Sequence, residues 1–253
     1  MTQIEAVEAA MRSLGGYATL GQLYQTATKA EDVAWGTKTP FASIRRIVQD
    51  PQRPEHARRF FKIRPGLWAL SAERGAVLDK LGLGPRTPRP KLLGDAHTFY
   101  QGLLLELGNL RGRETFAPDQ DKNRVVLPGR ATLGALRSLA TFPAFTYPAL
   151  LRHGRTIDVS WFNERNLPDA FFEVENTTDM KNSLLKFVEF QDFRAAFHIV
   201  ADGARRVEFE QRLALAAFAP LRSRVRFLDY AALASLHDKE MEAHAARQAA
   251  VER

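Results

Sequence analysis

Apolar residues at Ile4, Val7, Met11 and Leu14 recur at steps of three and four, the spacing of one buried helical face, and the run stops at Gly15-Gly16. Thr19 stands as an N-cap before Leu20, Leu23 and Tyr24, which predicts a second helix to about Ala30. A third is expected from Thr39-Pro40 to Gln49, with Pro40 suited to the first turn and Phe41, Ile44, Ile47 and Val48 on the buried side. Beyond the Pro51 to Pro54 loop, Arg59 to Arg64 and Leu67 to Ser71 alternate or run apolar around Pro65-Gly66, a β-hairpin pattern.

Farther on, Phe99, Leu103, Leu104, Leu107 and Leu110 give another buried helical face, with Glu106 inside the run. An irregular stretch punctuated by Gly and Pro is expected to about Pro148. Two short runs rich in Ile, Val, Phe and Trp, RTIDVSWF and AFFEVENTT, flank the turn NERNLPD and predict an antiparallel hairpin. After Asn176-Thr177-Thr178 come a helix carrying Leu184, Leu185, Phe187 and Val188, the strand Ala196 to Ala201, a helix near Val207 to Leu215 and the strand VRFLDY. Strand, crossover helix and apolar strand in succession predict a parallel pair. From Ala231 the chain reads as a charged, Ala-rich helix whose last turns fray or engage a partner.

Composition sets the frame. With 253 residues, 45% hydrophobic and 26% charged, the chain is an ordinary globular one, and Pro and Gly gather between Ala72 and Gly94 as in a linker. The expected division is 1–72, a linker over 73–94, and a larger domain over 95–253. The absence of cysteine excludes a thiol nucleophile, a thiolate zinc site and a redox motif. No apolar run approaches the roughly 20 residues of a membrane span, and the first residues lack the order of a signal peptide. A soluble cytoplasmic protein with no membrane partner is expected.

The net charge of +7 favours a polyanion as partner, and placement sharpens the reading. Three helices followed by a hairpin make a winged helix-turn-helix, with Arg45 and Arg46 on the third helix and Arg58, Arg59, Lys62 and Arg64 on the wing. Both sets suit phosphate and groove contacts with double-stranded DNA. The region is similar to winged-helix domains attached to restriction endonucleases and chromatin regulators.

Chemistry concentrates in the second hairpin, where Asp158, Glu173 and Glu175 interrupt apolar strands. Glu173 and Glu175 are two residues apart and project to one sheet face. Asp158 joins them if it lies opposite an odd position such as Glu173. Carboxylates in a twice-covered strand demand a counterion, and Mg²⁺ takes one or two of them together with waters and phosphate oxygens. A solvated one-sided sheet is the alternative. The six histidines show no metal-ligand spacing and are expected in core or surface roles.

IDVSWF followed by FFEVENT resembles the PD-(D/E)xK nuclease superfamily, in which an Asp on one strand is followed by an acid, a spacer and usually a Lys on the next. Asp158 matches the first acid, Glu173 the second, and Glu175 stands where the Lys is expected. The longer string FFEVENTTDMKNSLLKFVEFQDF is similar to bacterial proteins that pair a winged helix with this core. The resemblance implies an α/β chain, α+β overall, with a restriction-endonuclease-like mixed sheet in αβββαβ order. It implies Mg²⁺ or Mn²⁺ as cofactor, Glu106 as an additional metal acid, Lys186 as a relocated catalytic lysine and Gln191 as a DNA contact. A metal-dependent DNA endonuclease of restriction or defence type, acting on duplex DNA as a homodimer, is the expected function. A DNA-binding transcriptional regulator with an inactive nuclease-like domain is the alternative, and a docking module that never touches DNA a third.

Overall fold

The computed structural model describes the chain apart from residues 31, 37–39, 86–88, 178 and 252–253, and apart from the side chains of 89–95. Two compact units emerge: Met1–Thr87 with Ala234–Arg253, and Pro88–Leu233.

In the smaller unit the expected helices form as α1 (Gln3–Ser13), α2 (Leu20–Ala27) and α3 (Phe41–Gln49). Thr2 and Thr19 close capping boxes with Glu5 and Gln22, so each of the first two helices starts with its N-cap and N3 amides satisfied. Pro40 caps α3; Thr39, expected beside it, lies outside the described residues. Strand β1 (Tyr17–Ala18) joins β2 (Phe60–Arg64) and β3 (Leu67–Leu70) in an antiparallel sheet of order β1-β3-β2. Gly66 turns the hairpin at φ 84°, a conformation that favours glycine. Val7, Met11, Leu20, Leu23, Phe41, Ile44, Phe60 and Leu70 make the core.

The segment expected to be a linker is largely helical. Arg74–Lys80 forms α4, which buries Val77, and α5 (Arg89–Leu110) begins inside the expected linker, ten residues before Phe99. The last stretch also departs from the expected division. Helix α10 (Tyr230–Val251) places Met241, Ala245 and Ala246 against the core of the smaller unit.

The larger unit is α+β, built on a five-stranded mixed sheet of order β4-β5-β6-β7-β8. Strands β5 (Val159–Phe162) and β6 (Pro168–Glu175) form the expected antiparallel hairpin. Strand β6 then pairs in parallel with β7 (Ala196–Ala201), and β7 with β8 (Val225–Asp229). The stretch expected to be irregular supplies the edge strand β4 (Glu114–Phe116) and the short helices α6 (Leu133–Leu136) and α7 (Pro148–Gly154). With α8 (Met180–Glu189) as the crossover, α5-β4-β5-β6-α8-β7 is the αβββαβ order of restriction-endonuclease-like folds. Helix α9 (Arg206–Leu213) completes the second crossover.

Both sheet faces are covered. Phe171, Phe197 and Ile199 pack with Leu184 and Phe187 of α8 and with Phe190 just after it, while Trp161 donates its indole N–H to the Leu104 carbonyl of α5 on the other side. No helix among the described residues is long and apolar enough to cross a membrane.

Candidate active site

The β5–β6 register decides where the acids go. Val159 lies opposite Phe172, so extending the pairing by one residue sets Asp158, just ahead of β5, opposite Glu173. Asp158, Glu173 and Glu175 therefore reach one end of the hairpin, in a cleft of about 710 Å³ also lined by His97, Gln120, Asp121, Arg124, Asn182, Ser183 and Lys186. Glu173 and Glu175 are each 4% exposed, too little for the solvated-sheet alternative.

Helix α8 answers these acids across the cleft. Lys186 Nζ lies 2.9 Å from both carboxylate oxygens of Glu173 and donates as well to the Thr156 carbonyl at 2.9 Å. Ser183 Oγ sits 3.1 Å from Glu173 Oε2 and also contacts Glu175 Oε1. A hydroxyl has one proton to donate, so both contacts are hydrogen bonds only when one carboxyl carries a proton of its own. The electrostatics agree. Burial, then the neighbouring charge of Asp158, pushes Glu173 up to about 8 against the opposing pull of Lys186.

Asp158 is held from the other side of the sheet. Its Oδ2 accepts from the Val174 amide at 2.8 Å and meets His97 Nε2 of α5 at 3.1 Å. Gln101, fully buried one turn on, contacts His97 Nδ1 through Oε1 at 3.1 Å and donates Nε2 to the Asp158 carbonyl at 3.2 Å. Burial works against a charge on His97, but the hydrogen bond and charge of Asp158 outweigh it and raise its pKa. Asp121, paired with Arg124 at 3.1 Å, forms the far wall.

The structure thus brings together Asp158, Glu173, Glu175 and Lys186, and leaves two expected residues outside the cleft lining. Glu106 lies nine residues beyond His97 on α5, two and a half turns and roughly 13 Å along the axis, and of the two only His97 lines the cleft. Gln191 follows α8, where its backbone carbonyl accepts from Arg224. His97, Gln101 and Ser183 were not foreseen. The one available signal was a His and a Gln four residues apart on an otherwise apolar helical face.

Asp158, Glu173 and Glu175 are hard oxygen donors gathered in one cleft, two of them buried, so these residues fit a divalent cation. Among the described residues no group of three or more His, Asp or Glu side chains is drawn together as a metal cage. Mg²⁺ needs only one or two carboxylates, with waters and phosphate oxygens completing its shell.

In the smaller unit, Arg46, Arg58 and Arg59 surround a pocket of about 340 Å³ floored by Ile4, Ile47 and Phe60. Arg59 also pairs with Glu8 at 3.0 Å, and Arg58 donates to the Arg53 carbonyl at 2.8 Å. Lys62 lies over the Trp68 ring at 5.8 Å, on the same hairpin as Arg64. Arg45 points elsewhere: its guanidinium pairs with Glu242 of α10 and donates to the Tyr24 hydroxyl at 3.4 Å.

Searches of curated proteins and of solved structures found no match to this chain. A family model described as the Type II restriction enzyme NmeDI C-terminal domain matches residues 90–253, which includes every acid of the cleft and its lysine. With αβββαβ order, a buried acid pair on the central strand and that match over more than half its length, the chain belongs to the NmeDI C-terminal domain family of Type II restriction enzymes.

Proposed function

We propose that this chain is a metal-dependent, restriction-type DNA endonuclease of the PD-(D/E)xK kind. The observation that carries the reading is Lys186 seated on Glu173 within the cleft that also holds Asp158 and Glu175. A lysine beside two strand acids is what the motif requires, and here the cation comes from α8 because Glu175 occupies its usual strand position. Asp158, with Glu173 or Glu175, would hold Mg²⁺ or Mn²⁺, which when bound supplies positive charge to phosphate oxygens and acidifies water.

The protein's own groups do the rest. Lys186 keeps an ammonium fixed between Glu173 and the Thr156 carbonyl, at a point where it meets negative charge developing on the scissile phosphate. Ser183 spans Glu173 and Glu175 and keeps the two carboxyls at a set separation. Arg124, half-exposed on the far wall, offers a guanidinium to the DNA backbone.

The smaller unit, three helices and a hairpin, is read as a winged helix that delivers duplex DNA. Its contacts would run through Arg46, Arg58, Arg59, Lys62 and Arg64, with Arg45 committed to Glu242. Cutting both strands with one site per chain calls for two copies, so a homodimer is the proposed working form.

Incubating the purified full chain with plasmids of differing methylation and Mg²⁺ should give discrete products. Asp158→Ala and Glu173→Ala should abolish them while gel-retarded DNA persists. Unchanged cutting in either variant overturns the assignment. Glu175 in the lysine position favours one competing reading, a regulator that binds DNA and cuts none. Retardation without product at every Mg²⁺ and Mn²⁺ concentration would establish it.

A further inference from the structure

His97, which lines the cleft, is hydrogen-bonded to the buried Gln101 one helical turn on. Gln101 is wholly buried, and its Nε2 must donate to the Asp158 carbonyl, 3.2 Å away, because a carbonyl only accepts. That fixes the amide the other way round at its second atom. Oε1 is turned to His97 Nδ1 at 3.1 Å, so Nδ1 is the donor there. The ring is thereby oriented, and Nε2 is delivered to Asp158 Oδ2 at 3.1 Å.

Oδ2 accepts from the Val174 amide at 2.8 Å, which occupies it from the strand side. Oδ1 makes no hydrogen bond among the described residues. The two oxygens of one carboxylate are unequal: Oδ2 is engaged by the Val174 amide and the His97 ring, and Oδ1 is left for an external partner.

From this asymmetry we infer that His97 and Gln101 are positioning residues that hold Asp158 as a single-oxygen ligand, through Oδ1, for the divalent ion of the cleft. The inference rests on the nuclease reading given above. His97 acts through Asp158: its Nε2 faces that carboxylate, and only about a fifth of its side chain is exposed. It is the imidazole-to-carboxylate support that commonly orients metal ligands, with the roles placed so that the carboxylate coordinates and the imidazole supports. Gln101 in turn selects the ring orientation, so a pair one helical turn apart on α5 acts as one device.

The test is Mn²⁺ binding to the full-length protein, followed by the electron paramagnetic resonance of free Mn²⁺, with thermal melts run beside it. His97→Ala should weaken Mn²⁺ binding about 10- to 100-fold, the usual cost of losing such a support. His97→Gln places an amide N–H where Nε2 stood and should recover most of that loss. Equal Mn²⁺ affinity in the parent and His97→Ala overturns the inference and leaves the nuclease reading intact. Equal weakening in both variants also overturns it, because the imidazole would then matter as a ligand or as bulk. No Mn²⁺ binding by the parent removes the metal reading itself. If His97→Ala fails to fold, Gln101→Leu decides: it leaves every cleft side chain in place and removes the contacts that orient the ring, so Mn²⁺ binding should weaken about 10-fold, and an unchanged affinity overturns the arrangement.

Discussion

Lys186 Nζ touches both oxygens of Glu173 at 2.9 Å, a symmetric contact between a part-exposed cation and a carboxylate that is almost wholly buried. Removing one partner of a buried pair costs about 3–5 kcal/mol when the other is left as a bare charge. Glu173 has an escape, since its pKa already stands at about 8 and it can take up a proton. Lys186→Met should therefore cost only ~1–3 kcal/mol in urea unfolding at pH 7, the price of an unpaired polar group, while cleavage falls to background. A loss of stability as large as that of a trapped charge would show that Glu173 cannot protonate.

The same raised pKa gives the metal-free protein an unusual pH dependence. A carboxyl that holds its proton to about pH 8 when folded, and releases it near 4.5 when unfolded, favours folding at low pH. Its contribution is full below the unfolded pKa and is lost as pH rises through the folded one. Between pH 5 and 8 the slope approaches about 1.4 kcal/mol per pH unit for one proton. Glu173→Gln should flatten this part of the profile in EDTA, measured by denaturant unfolding at pH 5, 6.5 and 8. An unchanged difference between parent and variant across that range would refute it.

How far the site could be read from residues follows from these contacts. Glu173 and Glu175 were legible because strand side chains alternate, so two acids one spacer apart must share a face. Lys186 was legible because helix α8 follows directly on the strand. His97 was not, since its partner Asp158 lies 61 positions away and nothing local marks the pairing. Strand β4 is three residues long, too short to show alternation, and it forms only because β5 offers an edge. The return of α10 was equally hidden. Met241, Ala245 and Ala246 mark a modest apolar stripe, but nothing in a stripe names the surface that it covers. Glu106 stands on the helix that lines the cleft but outside the lining itself, because a helical pattern does not say which turn meets the strand acids.

Met241 lies so close to Gly21 that a Cβ there would stand 2.6 Å from its Cε and 3.1 Å from its Cβ. Glycine within α2 thus serves close approach of α10. By helix propensity alone Gly21→Ala should stabilise by ~1 kcal/mol. Against Met241 it should instead destabilise by ~1–3 kcal/mol through overpacking. Adding Met241→Ala should recover part of that loss, so that the double variant is more stable than the sum of the two single effects. Thermal unfolding of all four proteins tests it, and simple additivity would show that α10 does not bear on α2.

His198 gives the last test, because its pH effect has the opposite sign to that of Glu173. Its ring stacks on Phe172 at 4.9 Å and 12°, and its Nδ1 finds no hydrogen-bond partner among the described residues. Burial, and secondarily Arg226, pushes its pKa down to about 4. A histidine kept neutral in the folded state contributes fully above the unfolded value of about 6.5 and loses stability as pH falls from there toward 4. His198→Phe keeps an aromatic face on Phe172 and removes the orphan nitrogen. It should be neutral to stabilising at pH 7.5 and should gain on the parent by up to ~2 kcal/mol at pH 5, one and a half units below the unfolded value. Comparing variant with parent at each pH cancels the contribution of Glu173, which both proteins share. A difference that stays constant between pH 7.5 and 5 would mean that His198 is solvated and titrates normally.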